Sequence, residues 1–502
     1  MPPSEYVFDV IDTRKRTGRS CPATLSAGEI PASGVYCYTI IPWLAVAPFL
    51  LMFVIPFALY GGDLNFRTSD GVYHVSKANL YFAIFICASW LSLAAISACL
   101  CASCFKAKSA SQYWRQSEAS GLFLVLYVVG LPVFAFHQLF KLPSAFENLV
   151  HIVSIAAYLA AGLGIRLMFD GERTARPNRR SVELILTSLL FAVLVVLPIV
   201  LGKAVEVAYA SATLIAALSA ARVQHIKRLT AVLLAGGLVA IAMVVKTPVR
   251  QLFYDGSVYS RVDINDRCFP RLLDCLHERM VQPARSFSAW FDGDIASFSS
   301  YDPNFDKIIF STEMLGEKPH YVLARIVHRI NHLGVLAHAV SVTPDAIPFW
   351  GWKTYSIMPY IMIPRAVWPE KPQAGVANIF GRQYQILDQT DMLTTANIDP
   401  VTEAWIDGGW FAIFLSSVAM GAFLGGLLRW LRAGGDQEIR FLASIIVAIN
   451  VACFESEAAI IVGCLFQELA FLGAIMVVFR LLTKWRRLLR NSVQVVPPKG
   501  SY

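Results

Sequence analysis

Apolar and polar positions in this chain come in long blocks, at neither the spacing of strands nor that of soluble amphipathic helices. Apolar runs fall near residues 36–59, 77–101, 120–140, 146–165, 182–201, 204–221, 229–245, 409–428, 439–454 and 459–482. A helix needs roughly 20 such residues to cross a bilayer. The pattern therefore predicts an all-α polytopic integral membrane protein with about ten transmembrane helices. One long block of mixed polarity, 246–408, interrupts the series. It predicts a single large extracytoplasmic segment containing amphipathic and re-entrant helices.

Composition agrees: 56% of the 502 residues are hydrophobic, 16% are charged, and mean hydropathy is +0.54. Soluble domains carry about 25% charged residues. The first 35 residues are polar and show no cleavable signal peptide.

Charge sets the expected orientation, because short cytoplasmic loops collect Lys and Arg. Arg14, Lys15, Arg16 and Arg19 precede the first run; Lys106, Lys108 and Arg115 follow the second; Arg173, Arg176, Arg179 and Arg180 follow the fourth. Arg222, Lys227 and Arg228, then Arg429, Arg432 and Arg440, and finally Lys484, Arg486, Arg487 and Arg490 complete the set. Intervening short loops hold only Arg67, Lys77, Lys141 and Lys203. Both termini are thus expected in the cytoplasm and 246–408 outside. The expected organisation is a cytoplasmic segment 1–35, helices one to seven in 36–245, the outer segment 246–408, helices eight to ten in 409–482, and a cytoplasmic tail 483–502. The outer segment carries 15 Lys+Arg against 18 Asp+Glu, although the whole chain is +8. The basic excess is thus a topology signal, and no nucleic-acid partner is implied.

Cys99, Cys101 and Cys104 lie close together without a second pair or a nearby His, which suits packing better than zinc. Cys268 and Cys275 would need a turn between them to form a disulfide. Two carboxylates interrupt apolar runs. Glu206 lies close to Lys203, and Glu468, beside Gln467, has no partner evident in the sequence. Asp292-Gly293-Asp294 has the D-x-D form of nucleotide-sugar transferases but reads best as a turn.

Three parts of the outer segment carry candidate chemistry. In 319–340, Leu323, Ile326, Val327, Ile330, Leu333, Gly334 and Ala337 share one helical face, and Arg325, His328, Arg329 and His332 share the opposite one. That basic stripe is either a solvated face, or one lying on anionic headgroups, or a site for a diphosphate gripped by the planar guanidinium forks. Tyr355–Ile363 is apolar but too short to span, hence re-entrant or interfacial. It leads into Ile363–Pro372, a stiff loop in which Pro364, Pro369 and Pro372 fix Arg365, Trp368 and Lys371 in relation to each other. Asp399-Pro400 then reads as a helix cap and first-turn proline, with Glu403 one turn on, just outside the eighth run. Glu403 is either a carboxylate placed at the positive end of a helix or a general base at the outer face of the membrane.

Arg325-x-x-x-Arg329, the I-P-R-x-x-W-P-x-K-P loop at 363–372, and Thr402 to Gly408-Gly409 with Glu403 inside resemble the Wzy-type oligosaccharide repeat-unit polymerases of O-antigen, capsule and exopolysaccharide synthesis. The resemblance is concentrated in 325–410, and its proline loop is the most specific part. It implies a bacterial inner-membrane glycosyltransferase joining repeat units carried on undecaprenyl diphosphate at the outer face, with neither nucleotide sugar nor metal. Arg325, Arg329, Arg365 and Lys371 would hold the diphosphate, Glu403 or else His332 would take the acceptor proton, and Trp368 and Trp352 would stack on sugars. A chain-length regulator and a flippase would be partners. Two other functions are compatible: an O-antigen ligase or another transferase on the same carrier, using Asp63 or Asp70, and a transporter of lipid-linked sugars. Transport is disfavoured because charges are scarce within the apolar runs.

Overall fold

The computed structural model describes residues 50–60, 64–68, 71–103, 111–112, 116–141, 144–170, 177–201, 203–220, 230, 232–239, 241–242, 262–263, 331–363, 367–368, 370–371, 376–392, 395–432, 435–452 and 455–493. Its helices are α1 (Lys77–Ser103), α2 (Gln116–Leu139), α3 (Ser144–Asp170), α4 (Pro177–Val200), α5 (Ala204–Ala220), α6 (His332–Val342), α7 (Ala377–Gln383), α8 (Pro400–Arg432), α9 (Gln437–Ala452) and α10 (Ala458–Val493). Among the described residues six are long and apolar enough to cross a membrane: α1, α2, α3, α4, α8 and α10. That fits an all-α membrane protein. α5 and α9, with 17 and 16 residues, are shorter than that measure.

One departure from all-α is a hairpin in the first expected outer loop. β1 (Leu64–Thr68) pairs antiparallel with β2 (Gly71–Val75), Phe66 opposite Tyr73 and Leu64 opposite Val75. β-Branched and aromatic residues at alternating positions suit a pleated surface. Two parallel bridges of two residues each also occur, one of them joining Phe140–Lys141 to Val262–Asp263.

Two packing clusters organise the helices. The first gathers α2 to α5, α9 and α10 around α3, whose Ala156, Ala157, Ala160 and Ala161 are fully buried. Across α3 and α9, Arg166 meets Glu438 at 3.6 Å and lies over the Phe441 ring. The second cluster joins α1, α6, α7 and α8 through Leu80, Ile86, Trp90, Leu336, Phe380 and Trp405. α1 and α8 meet backbone to backbone. A Cβ on Gly421 would stand 2.2 Å from the Ala94 carbonyl oxygen, and one on Gly425 would stand 2.4 Å from that of Ala98. This is the small-x-x-x-small contact of membrane helices, where dispersion replaces the hydrophobic effect. Outward-facing side chains such as Phe85, Val128, Ile185, Phe411 and Val477 are exposed and apolar, as a lipid-facing surface requires.

Glu468 gains the partner that its sequence context did not show. Asn450 Nδ2, on α9, donates to its Oε2 at 2.6 Å, and Gln467 Nε2 donates to the Ile361 carbonyl at 2.5 Å. The Tyr355–Ile363 run docks on α10 through that bond. It forms a 3-10 turn, Tyr355–Ile357, and a helical turn, Met358–Ile361.

Candidate functional site

The site grows from a break in α8. Gly408 (φ −172°, ψ 27°) and Gly409 (φ 58°, ψ −138°) leave helical geometry, dividing α8 into 400–407 and 410–432. A helix ending at Asp407 has carbonyls without intrahelical partners. Two of them are satisfied from the preceding loop: Trp350 N–H donates to Ile406 O and Gly351 N–H to Asp407 O, both at 2.9 Å. That docking bends the loop through consecutive positive φ values at Gly351 (65°) and Trp352 (68°). The second is a bulky residue for such a conformation. Non-helical backbone at membrane depth is tolerated where protein covers it or a cavity lies beside it.

Asp399 caps α8 as the Asp-Pro pair implies. Its Oδ1 accepts the Val401 and Thr402 N–H groups at 3.0 Å each, and its Oδ2 accepts the Thr402 hydroxyl at 2.6 Å. His332 approaches the same Oδ2 through Nδ1 at 3.3 Å. For His332 this corrects the basic-stripe expectation, while Arg325, His328 and Arg329 lie outside the described residues. α6 starts at His332, with Asn331 as its cap, and His332 is 3% exposed, packed inward and not on an open polar face. The reason is that a cap begins α6 here: Asn331 Oδ1 accepts the Gly334 N–H at 2.9 Å.

Glu403 is fully buried. Its Oε2 accepts the N–H of Ala458, the first residue of α10, at 2.7 Å. One turn further, Asp407 lies on the same face. The Thr354 hydroxyl stands between these carboxylates with one proton to give, and donates it to Asp407 Oδ2. Glu457, just before α10, accepts the backbone N–H groups of Val376 and Ala377 at the start of α7. One oxygen of each carboxylate, Glu403 Oε1, Asp407 Oδ1 and Glu457 Oε1, has no hydrogen-bond partner among the described residues.

So many buried carboxylates with spare lone pairs are costly unless they share protons. Burial pushes Glu457 up to about 7, against the pull of the two N–H groups. Burial, and next the charge of Glu403, hold the Tyr355 hydroxyl well above its usual range, so it remains a protonated donor at neutral pH. A carboxyl that titrates near neutrality can take up and release a proton.

Glu457 also sets a stability slope. The folded state holds its proton more tightly than the unfolded chain does between the ordinary value of 4.5 and about 7. Stability should thus be greatest below 4.5 and fall as pH rises through about 7. Glu457→Gln should flatten that slope by on the order of 3 kcal/mol, read as unfolding temperature against pH in detergent. An unchanged slope would place the spare proton elsewhere.

The other residues expected at a site are distributed as follows. Lys371 is buried, and its ammonium donates to the carbonyls of Ile361 (3.3 Å) and Ile363 (2.6 Å), tying the proline loop to the Met358–Ile361 turn. Trp368 is partly exposed and meets Tyr360 edge-on at 5.9 Å. Trp352 packs against Tyr355 at 5.7 Å and Phe411 at 5.9 Å. Arg325, Arg329 and Arg365 lie outside the described residues, as do Asp63, Asp70, Cys268, Cys275 and the Asp292–Asp294 turn. Glu457 is the residue that sequence reasoning missed, and Asp407 is one that it gave no role. Asp407 is one turn from Glu403, and Glu457 stands at the same expected face of the membrane, immediately before the last apolar run.

The fold and this buried carboxylate cluster fit a helical, multi-pass membrane protein with its candidate chemistry at a broken helix. A family model described as a domain of unknown function, DUF8712, matches residues 290–429, which include α6, α7 and most of α8. No curated protein and no solved structure matches the chain.

Proposed function

We propose that this protein is a membrane glycosyltransferase that polymerises undecaprenyl-diphosphate-linked oligosaccharide repeat units at the outer face of a bacterial inner membrane. The resemblance of 325–410 to Wzy-type polymerases motivates the reading. One observation carries it: Glu403 is held by a single backbone N–H, and its other oxygen is unbonded, beside Asp407 and Glu457. Such a carboxylate is positioned and has a lone pair left for an acceptor hydroxyl. Asp407 and Glu457 provide a local reservoir for the proton it takes. Arg325, Arg329 and Arg365 neutralise the departing diphosphate, while Lys371 sets the shape of the proline loop that carries Arg365. Trp368 and Trp352 offer faces for sugar rings. The expected ten spans and cytoplasmic termini belong to the same proposal, as do a flippase and a chain-length regulator as partners.

A transporter of lipid-linked sugars is a second reading, favoured by the break in α8, since discontinuous helices line transporter sites. Purified protein in liposomes with lipid-linked repeat units separates the readings. A ladder of polymer supports polymerisation, transfer to added lipid A indicates a ligase, and translocation without new bonds indicates transport. Arg365→Ala should lower polymer yield by roughly tenfold to a hundredfold, the equivalent of one lost charge-assisted contact of about 1.5–3 kcal/mol. Unchanged yield in correctly inserted protein would remove Arg365 from the site.

A further inference from the structure

A second group of side chains lies away from the α8 break, where the α2–α3 turn and the start of α5 meet. His137 stands in the last turn of α2, His151 near the start of α3, and Glu206 in the first turn of α5. One ligand atom from each lies within 4.8 Å of the other two. His151 Nδ1 and His137 Nε2 are 3.3 Å apart, and Tyr158 donates its hydroxyl to Glu206 Oε2 at 2.6 Å. His137 is buried, and the other two are half-buried.

Two explanations compete for the imidazole pair. One is a plain hydrogen bond, in which one ring donates to the other. That needs only the two rings and gives no part to the carboxylate that stands beside them. The other is the edge of a coordination polyhedron. With metal–nitrogen bonds of about 2.0–2.1 Å, two ligands at a tetrahedral angle sit roughly 3.3–3.4 Å apart, which is the spacing seen. The Tyr158 bond then serves as the outer contact that orients the carboxylate ligand. Lys203 lies one turn before Glu206, where an ion pair would compete. Its ammonium instead donates to the Gln138 carbonyl (3.1 Å) and Gln138 Oε1 (2.7 Å), clamping α5 to the end of α2.

We infer that His137, His151 and Glu206 form a divalent transition-metal site of the zinc type, with a water as fourth ligand. Imidazole nitrogen favours zinc over magnesium or calcium. The site joins α2, α3 and α5, so bound metal would brace this end of the first packing cluster. Its place, away from Glu403, makes it independent of the transfer chemistry proposed above.

The test uses the full-length protein in detergent, stripped with a chelator and titrated with zinc ion alone by calorimetry. One zinc per chain is expected, with X-ray absorption showing two imidazole nitrogens at about 2.0–2.1 Å. Magnesium in the same titration should give no heat. His137→Gln, His151→Gln and Glu206→Gln should each weaken zinc binding by about 100-fold or more, beyond the 10–100-fold loss typical of outer-shell changes. Tyr158→Phe should fall within that lower range. Zinc should raise the unfolding temperature of the wild type and leave that of the His137→Gln/His151→Gln double variant unchanged. No zinc bound by the wild type, or equal binding by the double variant, would overturn the assignment and leave a His–His hydrogen bond. Should the variants fail to fold, the wild-type stoichiometry and absorption spectrum decide alone.

Discussion

Glu403→Gln is expected to lower polymer formation by on the order of 10²–10⁴, the usual worth of a positioned general base. The substitution is informative because the amide oxygen can still accept the Ala458 N–H that Oε2 now accepts at 2.7 Å. The start of α10 stays capped, and the loss falls on proton transfer alone. Glu403→Ala removes both functions, so it should also destabilise the protein by about 1–3 kcal/mol, the penalty for a buried donor left unpaired. Turnover per bound lipid-linked donor, with donor binding measured separately, distinguishes the cases. Lost turnover with retained binding supports Glu403 as base. Lost binding with normal turnover would make it a spacer for the cationic groups, and normal behaviour in both would turn attention to Glu457 and Asp407. His332 is then the weaker candidate, since its ring is packed against Asp399 and only 3% exposed.

Gly409→Val should abolish the site by another route. Gly409 has φ 58° and ψ −138°, outside the ranges open to a β-branched residue. Even a bare Cβ there would stand 2.9 Å from Phe349 Cζ. Backbone strain of about 1–3 kcal/mol adds to a comparable overpacking term, so the break in α8 should shift or the protein should lose several kcal/mol. The neighbouring position provides the control. Gly408 has an extended φ of −172°, and among the described residues a Cβ there meets only Ala412 Cβ at 3.3 Å. Gly408→Ala should therefore be much milder. Unfolding temperature and polymer yield, measured for both, test this. Equal tolerance at both positions would mean that the break is incidental to activity.

How far the sequence discloses this molecule depends on the range of the interaction. Six of the expected apolar runs became long apolar helices because crossing length and hydropathy are local properties. The cap at Asp399 was legible too, since an Asp-Pro pair satisfies backbone donors two and three residues away. The hairpin at Leu64–Val75 was not, because two five-residue strands beside long apolar runs leave a weak periodic signal. The cap at Asn331 that begins α6 was not legible, because the hydrophobic spacing runs without a break through 323–330, outside the described residues, into 333–337. Gly408-Gly409 was visible only as part of a motif, since a glycine pair does not say whether a helix breaks there. Glu403 and Glu457 were hardest to read. Each is held by backbone N–H groups of a distant element, and no side chain at 458, 376 or 377 could have announced that role.

The bond from Glu403 to Ala458 has a further consequence for how the molecule is made. A chain emerging from the ribosome delivers α8 to the membrane before α10 exists. Until the start of α10 is in place, Glu403 lacks the Ala458 N–H that holds it. The carboxylate cluster is therefore completed only when the start of α10 joins α8. A chain cut before Glu457 would lack that carboxylate and the Ala458 N–H, and so would have no assembled cluster.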